Sequence, residues 1–435
     1  MQGAKLEQLI DFGSCMVFKS ADIQTMIMLV KNDDTVDNYN LDYRRINTTQ
    51  ASFNDALDLL RKKQTKNNEI LQPVIIKRDS INKLFTFSSN QVDIVLQKIQ
   101  QQGNLYLTKN EVAQGIVPNP DIVTSKAISK IPECKVSKHN IKIGDGVFVV
   151  DCGYFKEINQ IERNILKPLY EPYEMSKYCL PIKNGKEIIY INKTTDVTKI
   201  PNIINHLDKY REIMDNRREN LNARLSFYHL HWPRDESFFT KGEKILSIRK
   251  CLIPTFIFTV EPCYVMMSIN VIKTDRINQK FLTALLNSKL IAFWLKNKGK
   301  MQGNNYQIDK EPILGIPIKN ISEKTNALHY FDYLVDFIKV AKESNFKLQT
   351  AYFEQLIDGL VFELYFADEI NAANKPILKH LGDLKPITED MTAEEKLAII
   401  QSEFDRLYDP SHPVRNHLET LDSIEPVRII KEALQ

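Results

Sequence analysis

The chain has 435 residues, of which 43% are hydrophobic and 26% are charged, so gross disorder is excluded and roughly two to four packed domains are expected. No run of about 18 apolar residues or apolar signal core occurs, which disfavours a membrane span and predicts a cytoplasmic protein. The net charge is +3, but residues 201–320 contain 19 Lys and Arg against 11 Asp and Glu, whereas residues 321–435 contain 12 against 21. A basic middle before an acidic tail fits polyanion binding, although an ordinary solvated surface is compatible with the same counts.

The N-terminal segment predicts a β-hairpin followed by helices. Residues 6–12 alternate in polarity up to Gly13-Ser14, and residues 25–30 form a continuous apolar run. Such a run predicts a strand that is buried on both faces of a larger sheet. Residues 51–63 and 90–101 predict helices by their apolar spacing.

From about 105 to 320 the pattern changes to short strands between turn signals, and beyond 320 it becomes helical. The Asn184-Gly185 pair is typical of a hairpin turn. Residues 244–249, 255–260 and 264–272 predict a small antiparallel set, and residues 277–297 predict a helix. The fold class predicted is α+β, with a small mixed or antiparallel-sheet domain and an all-α C-terminal region. The six cysteines form no Cys-x-x-Cys pair or Cys/His cluster, so neither zinc nor a disulfide framework is expected.

Three passages carry a resemblance to one family. They are Ile10-Asp11-Phe12-Gly13 with Leu29-Val30-Lys31, then residues 281–290 (FLTALLNSKL) with Ile316-Pro317-Ile318, and finally residues 353–365. Together they resemble adenine-specific DNA methyltransferases of the TaqI-like kind and the fused type IIG restriction–modification enzymes related to them. The resemblance implies a hairpin remnant of a Rossmann-like methyltransferase domain (1–45), a helical connector (46–104), a TaqI-like specificity domain (105–320) and a helical C-terminal region (321–435).

The chain departs from this family where methyl transfer would occur. The family's Asn-Pro-Pro-aromatic loop holds the flipped adenine. This chain contains no Pro-Pro dipeptide, and Asn119-Pro120-Asp121-Ile122 lacks both the second proline and the aromatic residue. The glycine-rich turn of an S-adenosylmethionine site is missing as well. We therefore predict no catalytic, cofactor-binding or metal-ligating residue, and we expect a C-terminal portion that is inactive alone, with S-adenosylmethionine belonging to the parent enzyme.

Two basic segments supply candidate DNA contacts, because Lys and Arg bind phosphates while Arg, Asn and Gln also read base edges. The first segment contributes Arg224, His231, Arg234, Lys241, Lys244, Arg249 and Lys250. The second is a glycine-flanked, amide-rich loop that contributes Lys296, Lys298, Lys300, Gln302, Asn304, Asn305 and Tyr306. A solvated turn after a helix is the alternative for this loop. Arg217-Arg218 lies among acidic residues and predicts a solvated helix face.

The function that these patterns predict is sequence-specific recognition of double-stranded DNA as the specificity region of an adenine methyltransferase. Two alternatives stay open: a specificity subunit that assembles with a separate methyltransferase subunit, and a protein-interaction scaffold without DNA contact. The expected partners are double-stranded DNA and a methyltransferase catalytic domain or subunit, and no membrane. A second copy of the chain is a further candidate, because an exposed edge strand in the N-terminal hairpin would seek a partner.

Overall fold

The structure is a computed structural model that describes residues 4–18, 20, 23–33, 38–48, 50–76, 90–181, 185–222, 224–321 and 327–435. Its helices and small sheets confirm the α+β class, and the chain after residue 327 is helical. Within these ranges no helix is both long and apolar enough to cross a membrane. Asn184 of the predicted hairpin turn lies outside the described residues.

The N-terminal part contains a four-stranded sheet with the order β2-β1-β4-β5, in which β1 pairs antiparallel with β2 and parallel with β4. Its elements, with the neighbouring pair β3 and β6, are β1 (Ala4–Asp11), β2 (Met26–Asn32), β3 (Asn38–Asn40), β4 (Asp42–Ile46), α1 (Phe53–Leu60), β5 (Asn68–Leu71), β6 (Val74–Ile76) and α2 (Asn90–Gln102). The predicted hairpin is therefore present. The predicted burial of its second strand is wrong, because every residue of β2 is exposed at the edge of the sheet.

Two four-stranded sheets form the middle of the chain, with the orders β13-β11-β15-β7 and β14-β9-β10-β8. Their strands are β7 (Val112–Gln114), β8 (Val149–Asp151), β9 (Leu166–Tyr170), β10 (Lys186–Ile189), β11 (Lys244–Ile248), β13 (Phe256–Thr259), β14 (Tyr264–Val265) and β15 (Ile269–Ile272). The strand β12 (Lys250–Cys251) belongs to a third, smaller sheet. The predicted antiparallel set is confirmed by the pairing of β11 with β13 and β15.

The sheet that contains β11 lies between two hydrophobic cores. Ile245 and Phe256 pack into one core, whereas their neighbours Leu246 and Ile257 pack into the other. Because successive strand residues point to opposite faces, a strand covered on both sides buries all of its side chains, including the polar residues Lys244, Ser247 and Asn270. This explains why β11 and β15 are buried at every position.

Short helices surround these sheets, and the helix predicted over 277–297 is broken in two at Ser288. The helices of this part are α3 (Ser125–Ile128), α4 (Glu133–His139), α5 (Gln160–Ile165), α6 (Pro201–Asp208), α7 (Arg211–Asp215), α8 (Arg218–Leu221), α9 (Gln279–Asn287), α10 (Lys289–Lys298) and α11 (Lys310–Leu314). The Ser288 hydroxyl accepts a hydrogen bond from the Ile291 N–H and so caps α10.

Asn287, the residue before this break, connects the helix pair to the strand β13 by hydrogen bonds. The buried side chain of Asn287 accepts a hydrogen bond from the Phe256 N–H at 3.0 Å and donates one to the Phe256 carbonyl at 2.8 Å. The Leu-Asn-Ser-Lys sequence that carried the family resemblance is thus explained by local structure. Asn287 pairs with β13, and Ser288 begins the next helix.

The C-terminal helices share a core with the sheet domain. They are α12 (Ala327–Glu343), α13 (Lys347–Tyr365), α14 (Ala367–Ala372), α15 (Ala393–Tyr408), α16 (Pro413–Thr420) and α17 (Glu425–Ala433). One continuous core includes Ile99 of α2, Phe281 of α9, Phe353 of α13 and Ile430 of α17. It therefore runs through the predicted boundary at residue 320, and that boundary stays a prediction.

Candidate nucleic-acid interface

The amide-rich loop folds as a β-hairpin with polar side chains at its turn. Its strands are β16 (Met301–Gln302) and β17 (Asn305–Gln307), and β17 also pairs with β12. Gln302 lies opposite Asn305, which leaves Gly303-Asn304 as a two-residue turn, and Gly303 has a φ of +58°. Glycine at the first turn position suits a tight hairpin. Gln302 and Asn304 are exposed, and Lys300 is exposed at the base.

The base of this hairpin is held by buried and paired groups. The Tyr306 ring packs in the core, and burial raises the pKa of its hydroxyl to about 12. Arg249 donates to the Asp309 carboxylate from Nε at 3.0 Å and to the Met267 carbonyl at 2.6 Å. Lys300 Nζ lies 3.6 Å from the same carboxylate. Burial opposes the ionisation of Asp309, but the hydrogen bonds from Arg249 outweigh it and lower the pKa of Asp309 below its usual value.

Two of the predicted DNA contacts, Lys244 and Lys296, lie outside the β16–β17 hairpin. Lys244 is 0% exposed, and its Nζ donates to the carbonyls of Gly242 and Glu261 at 2.8 and 2.7 Å. Burial lowers the pKa of Lys244 to about 8. Lys296 donates to the carbonyl of Ala433 at the end of α17. The Lys244 ammonium is therefore buried within the fold, whereas the Lys296 side chain is exposed and donates to a backbone carbonyl.

The remaining predicted residues divide by exposure. Arg224, Lys241 and Lys250 are exposed, whereas Lys298 and Asn305 are half-buried. Lys298 lines a cavity of 510 Å³ together with Trp294 and Glu311. The His231 ring lies 4.7 Å from the Trp232 ring, and the indole is itself half-exposed.

Arg217 is buried, contrary to the solvated helix face that was predicted for it. Its guanidinium donates to the carbonyls of Asn119 and His229 at 3.0 Å each, and to those of Ser226 and Phe227 at 3.3 Å each. Its neighbour Arg218 is exposed. The helix pattern identified the neighbouring acids but not these carbonyls, which lie in other segments of the chain.

A second concave surface unites cations that no local sequence pattern connects. A cavity of 440 Å³ is lined by Lys109, Arg234 and Lys310, with Gln114 and Asp235. Arg234 was a predicted contact, but Lys109 and Lys310 were missed because they are 201 residues apart in sequence. The Lys310 Nζ donates to the Lys109 carbonyl at 2.6 Å, which holds the two segments together.

Comparisons with known proteins indicate the relatives of this chain. No family model matches the sequence. The type II methyltransferase M.HincII of Haemophilus influenzae is 20% identical over 337 residues, which cover 74% of this chain and 58% of that protein. M.HindII of Haemophilus influenzae strain Rd is 21% identical over 337 residues, which cover 74% and 60%. The chain is similar to type II methyltransferases. It spans about three fifths of the length of these curated relatives.

Solved structures of restriction–modification enzymes also match. The type IIL restriction-modification enzyme MmeI, solved in complex with DNA, has a TM-score of 0.39 and 10% identity, with 99% of this chain and 46% of that chain covered. The type IIG restriction endonuclease BpuSI has a TM-score of 0.35 and 12% identity, with 83% and 44% covered. The TaqI-like character of the middle of the chain stays a prediction.

Proposed function

We propose that this chain recognises a specific sequence in double-stranded DNA and acts as the specificity region of an adenine-specific methyltransferase in a restriction–modification system. The observation that carries the proposal is the β16–β17 hairpin, whose glycine turn exposes Gln302 and Asn304 above the cation Lys300. The similarity to M.HincII and M.HindII supports the same assignment.

The hairpin has the shape and chemistry that readout of a DNA groove requires. A two-stranded ribbon fits the major groove, where the amide of Asn or Gln can bind adenine through two hydrogen bonds. Gln302 and Asn304 would make such base contacts, and Lys300 would contact a phosphate, which adds affinity without sequence information. Arg249 and Tyr306 would then act as anchors that hold the hairpin in place.

Methyl transfer itself would be supplied by a methyltransferase catalytic unit that binds S-adenosylmethionine. The chain lacks the Pro-Pro loop of the family. The surface proposed to contact the catalytic unit is β2. Its backbone edge is unpaired within the described sheet, and Ile27 and Leu29 are exposed on it. A separate subunit or a second copy of the chain could occupy the same edge.

The test of DNA recognition begins with selection of bound duplexes from a random pool, followed by fluorescence anisotropy on the selected site. We expect Gln302→Ala with Asn304→Ala to reduce discrimination against altered sites by about 1–3 kcal/mol per lost bidentate contact. Lys300→Ala should weaken binding to all sequences alike. As a matched control, the exposed Asn371 of α14 can be changed to Ala, which should leave both properties unchanged.

Two results would contradict the proposal. Absence of duplex binding at low salt would favour the protein-interaction scaffold instead. Unchanged discrimination in the Gln302→Ala/Asn304→Ala variant would show that the hairpin does not read bases.

A further inference from the structure

We infer that the 440 Å³ cavity lined by Lys109, Arg234 and Lys310 binds a backbone phosphate of the duplex that the hairpin reads. This inference rests on the proposed DNA recognition and adds a phosphate site to it. The cavity lies between segment 109–114, the loop that contains Arg234, and the first residue of α11.

The three cations share the cavity without a carboxylate partner. Among the described residues none of them forms an ion pair, in contrast to Arg249, which is paired with Asp309. Asp235 is the acid in the lining, and its Oδ1 already accepts the Ser237 N–H at 3.0 Å. Positive charge therefore dominates the cavity, which is the requirement for binding a polyanion.

The surroundings show that this positive charge is disfavoured in the absence of an anion. Burial lowers the pKa of Lys310, and the nearby Lys109 and Arg234 lower it further, although Glu311 opposes them. Burial and the neighbouring Arg249 likewise lower the pKa of Arg234. A phosphate in the cavity would relieve this repulsion, and the attraction is larger in a partly buried site than in bulk water.

Arg234 is oriented by its backbone and by its neighbours. Its φ is +65°, which is uncommon for a residue with a side chain. Its Nε donates to the Gly115 carbonyl at 3.2 Å, and its Nη2 donates to the Gln114 Oε1 at 3.3 Å. The indole of Trp232 lies 5.2 Å from the guanidinium carbon. Less side-chain freedom is therefore lost when a phosphate binds.

The position of the cavity connects it to the hairpin. Lys310 follows Asp309 directly, and Asp309 accepts hydrogen bonds from Arg249 and from Gln307 of β17. The Lys310 side of the cavity therefore directly follows, in sequence, the carboxylate that holds the base of the β16–β17 hairpin. Phosphate contacts of this kind set the register of the protein on the duplex.

The experiment measures duplex binding by fluorescence anisotropy over a series of KCl concentrations. For Lys109→Ala with Lys310→Ala we expect the slope of log K against log[KCl] to fall in magnitude by about one, because one phosphate contact releases about 0.9 counterions. Sequence preference should be unchanged. Lys109→Arg with Lys310→Arg should keep the slope, and the exposed C-terminal pair Lys379→Ala with Lys385→Ala should keep it as well.

The possible failures can be told apart. If the wild-type chain binds duplex and the Lys109→Ala/Lys310→Ala slope equals the wild-type slope, the cavity assignment is overturned while DNA recognition stands. An equal loss in the Lys379→Ala/Lys385→Ala control would also overturn it, since any lysine pair would then suffice. If the wild-type chain binds no duplex, both proposals fail. Binding of inorganic phosphate in calorimetry, lost in the Lys109→Ala/Lys310→Ala variant while the salt slope of duplex binding stays at the wild-type value, would assign the cavity to a free phosphate instead of DNA.

Discussion

The guanidinium of Arg217 is surrounded by backbone carbonyls from separate stretches of the chain, and it joins the segment around Asn119 to the segment 226–229. A buried cation is tolerated only where such acceptors replace its hydration. The buried Lys244 follows the same rule, because its Nζ donates to the carbonyls of Gly242 and Glu261. At both positions a positive charge that composition would count toward DNA binding instead stabilises the fold.

This arrangement predicts a large difference between two adjacent arginines. Arg217→Ala leaves several buried carbonyls without donors, so we expect it to lower the free energy of unfolding by about 3 kcal/mol. Arg218→Ala removes an exposed side chain and should change that free energy by less than about 0.5 kcal/mol. Urea denaturation followed by circular dichroism measures both. Equal midpoints for the two variants would show that the Arg217 contacts are not structural.

Among the elements, the helix pair α9–α10 shows how one polar residue can position a secondary structure. The polar contact of Asn287 with β13 complements the apolar face of α9, since Phe281 and Leu285 are buried in the shared core. The break at Ser288 redirects the chain into α10, which leads directly to the β16–β17 hairpin.

The Asn287 contact can be tested by substitution. Asn287→Ala leaves the buried Phe256 N–H without an acceptor, while the Phe256 carbonyl loses one donor and keeps the Tyr178 N–H, so we expect a loss of about 2 kcal/mol in the free energy of unfolding. The half-buried Asn297 is not a suitable control position, because its side chain donates to the Phe293 carbonyl. The exposed Asn222 after α8 is suitable, and Asn222→Ala should leave the denaturation midpoint unchanged. Equal stability of the Asn287 variant and the wild type would contradict this role.

At the scale of the whole molecule, β2 is an edge strand whose residues are all exposed to solvent. Its apolar side chains, including Met26, Ile27 and Leu29, are exposed while the partner strand β1 contributes Leu9 and Ile10 to small cores. An exposed apolar edge is a site for pairing with another strand. This is the physical basis for proposing that a catalytic unit covers it.

We expect Ile27→Lys with Leu29→Lys to abolish assembly with a methyltransferase catalytic unit and to leave duplex binding intact, because lysines on an edge strand oppose strand pairing. Co-elution on size-exclusion chromatography with light scattering measures assembly, and transfer of labelled methyl groups from S-adenosylmethionine to DNA measures its consequence. Leu348→Lys on α13, which is similarly exposed, is the matched control. Assembly that survives the β2 substitutions would exclude this edge, and a dimer of the chain alone would assign it to a second copy.

Local patterns in the sequence were sufficient for the antiparallel set around β11, for the helices after residue 327 and for the hairpin at residues 4–32. They predicted these elements because polarity periods and glycine turns act between near neighbours. The exposure of β2 and the break at Ser288 were not predicted, since they depend on which surfaces other segments cover and on where a side chain finds a carbonyl.

The chain's cations illustrate the same division between local and long-range information. The sequence by itself determined that residues 201–320 carry excess positive charge and that Gln302 and Asn304 lie in a glycine-flanked loop. Only the tertiary structure decided that Lys244 is buried and that Lys296 donates to the Ala433 carbonyl of α17. It also decided that Lys109 and Lys310 line one cavity with Arg234. The physical reason is that the availability of a charge depends on its carbonyl and carboxylate partners, and those partners come from distant segments that only folding brings together.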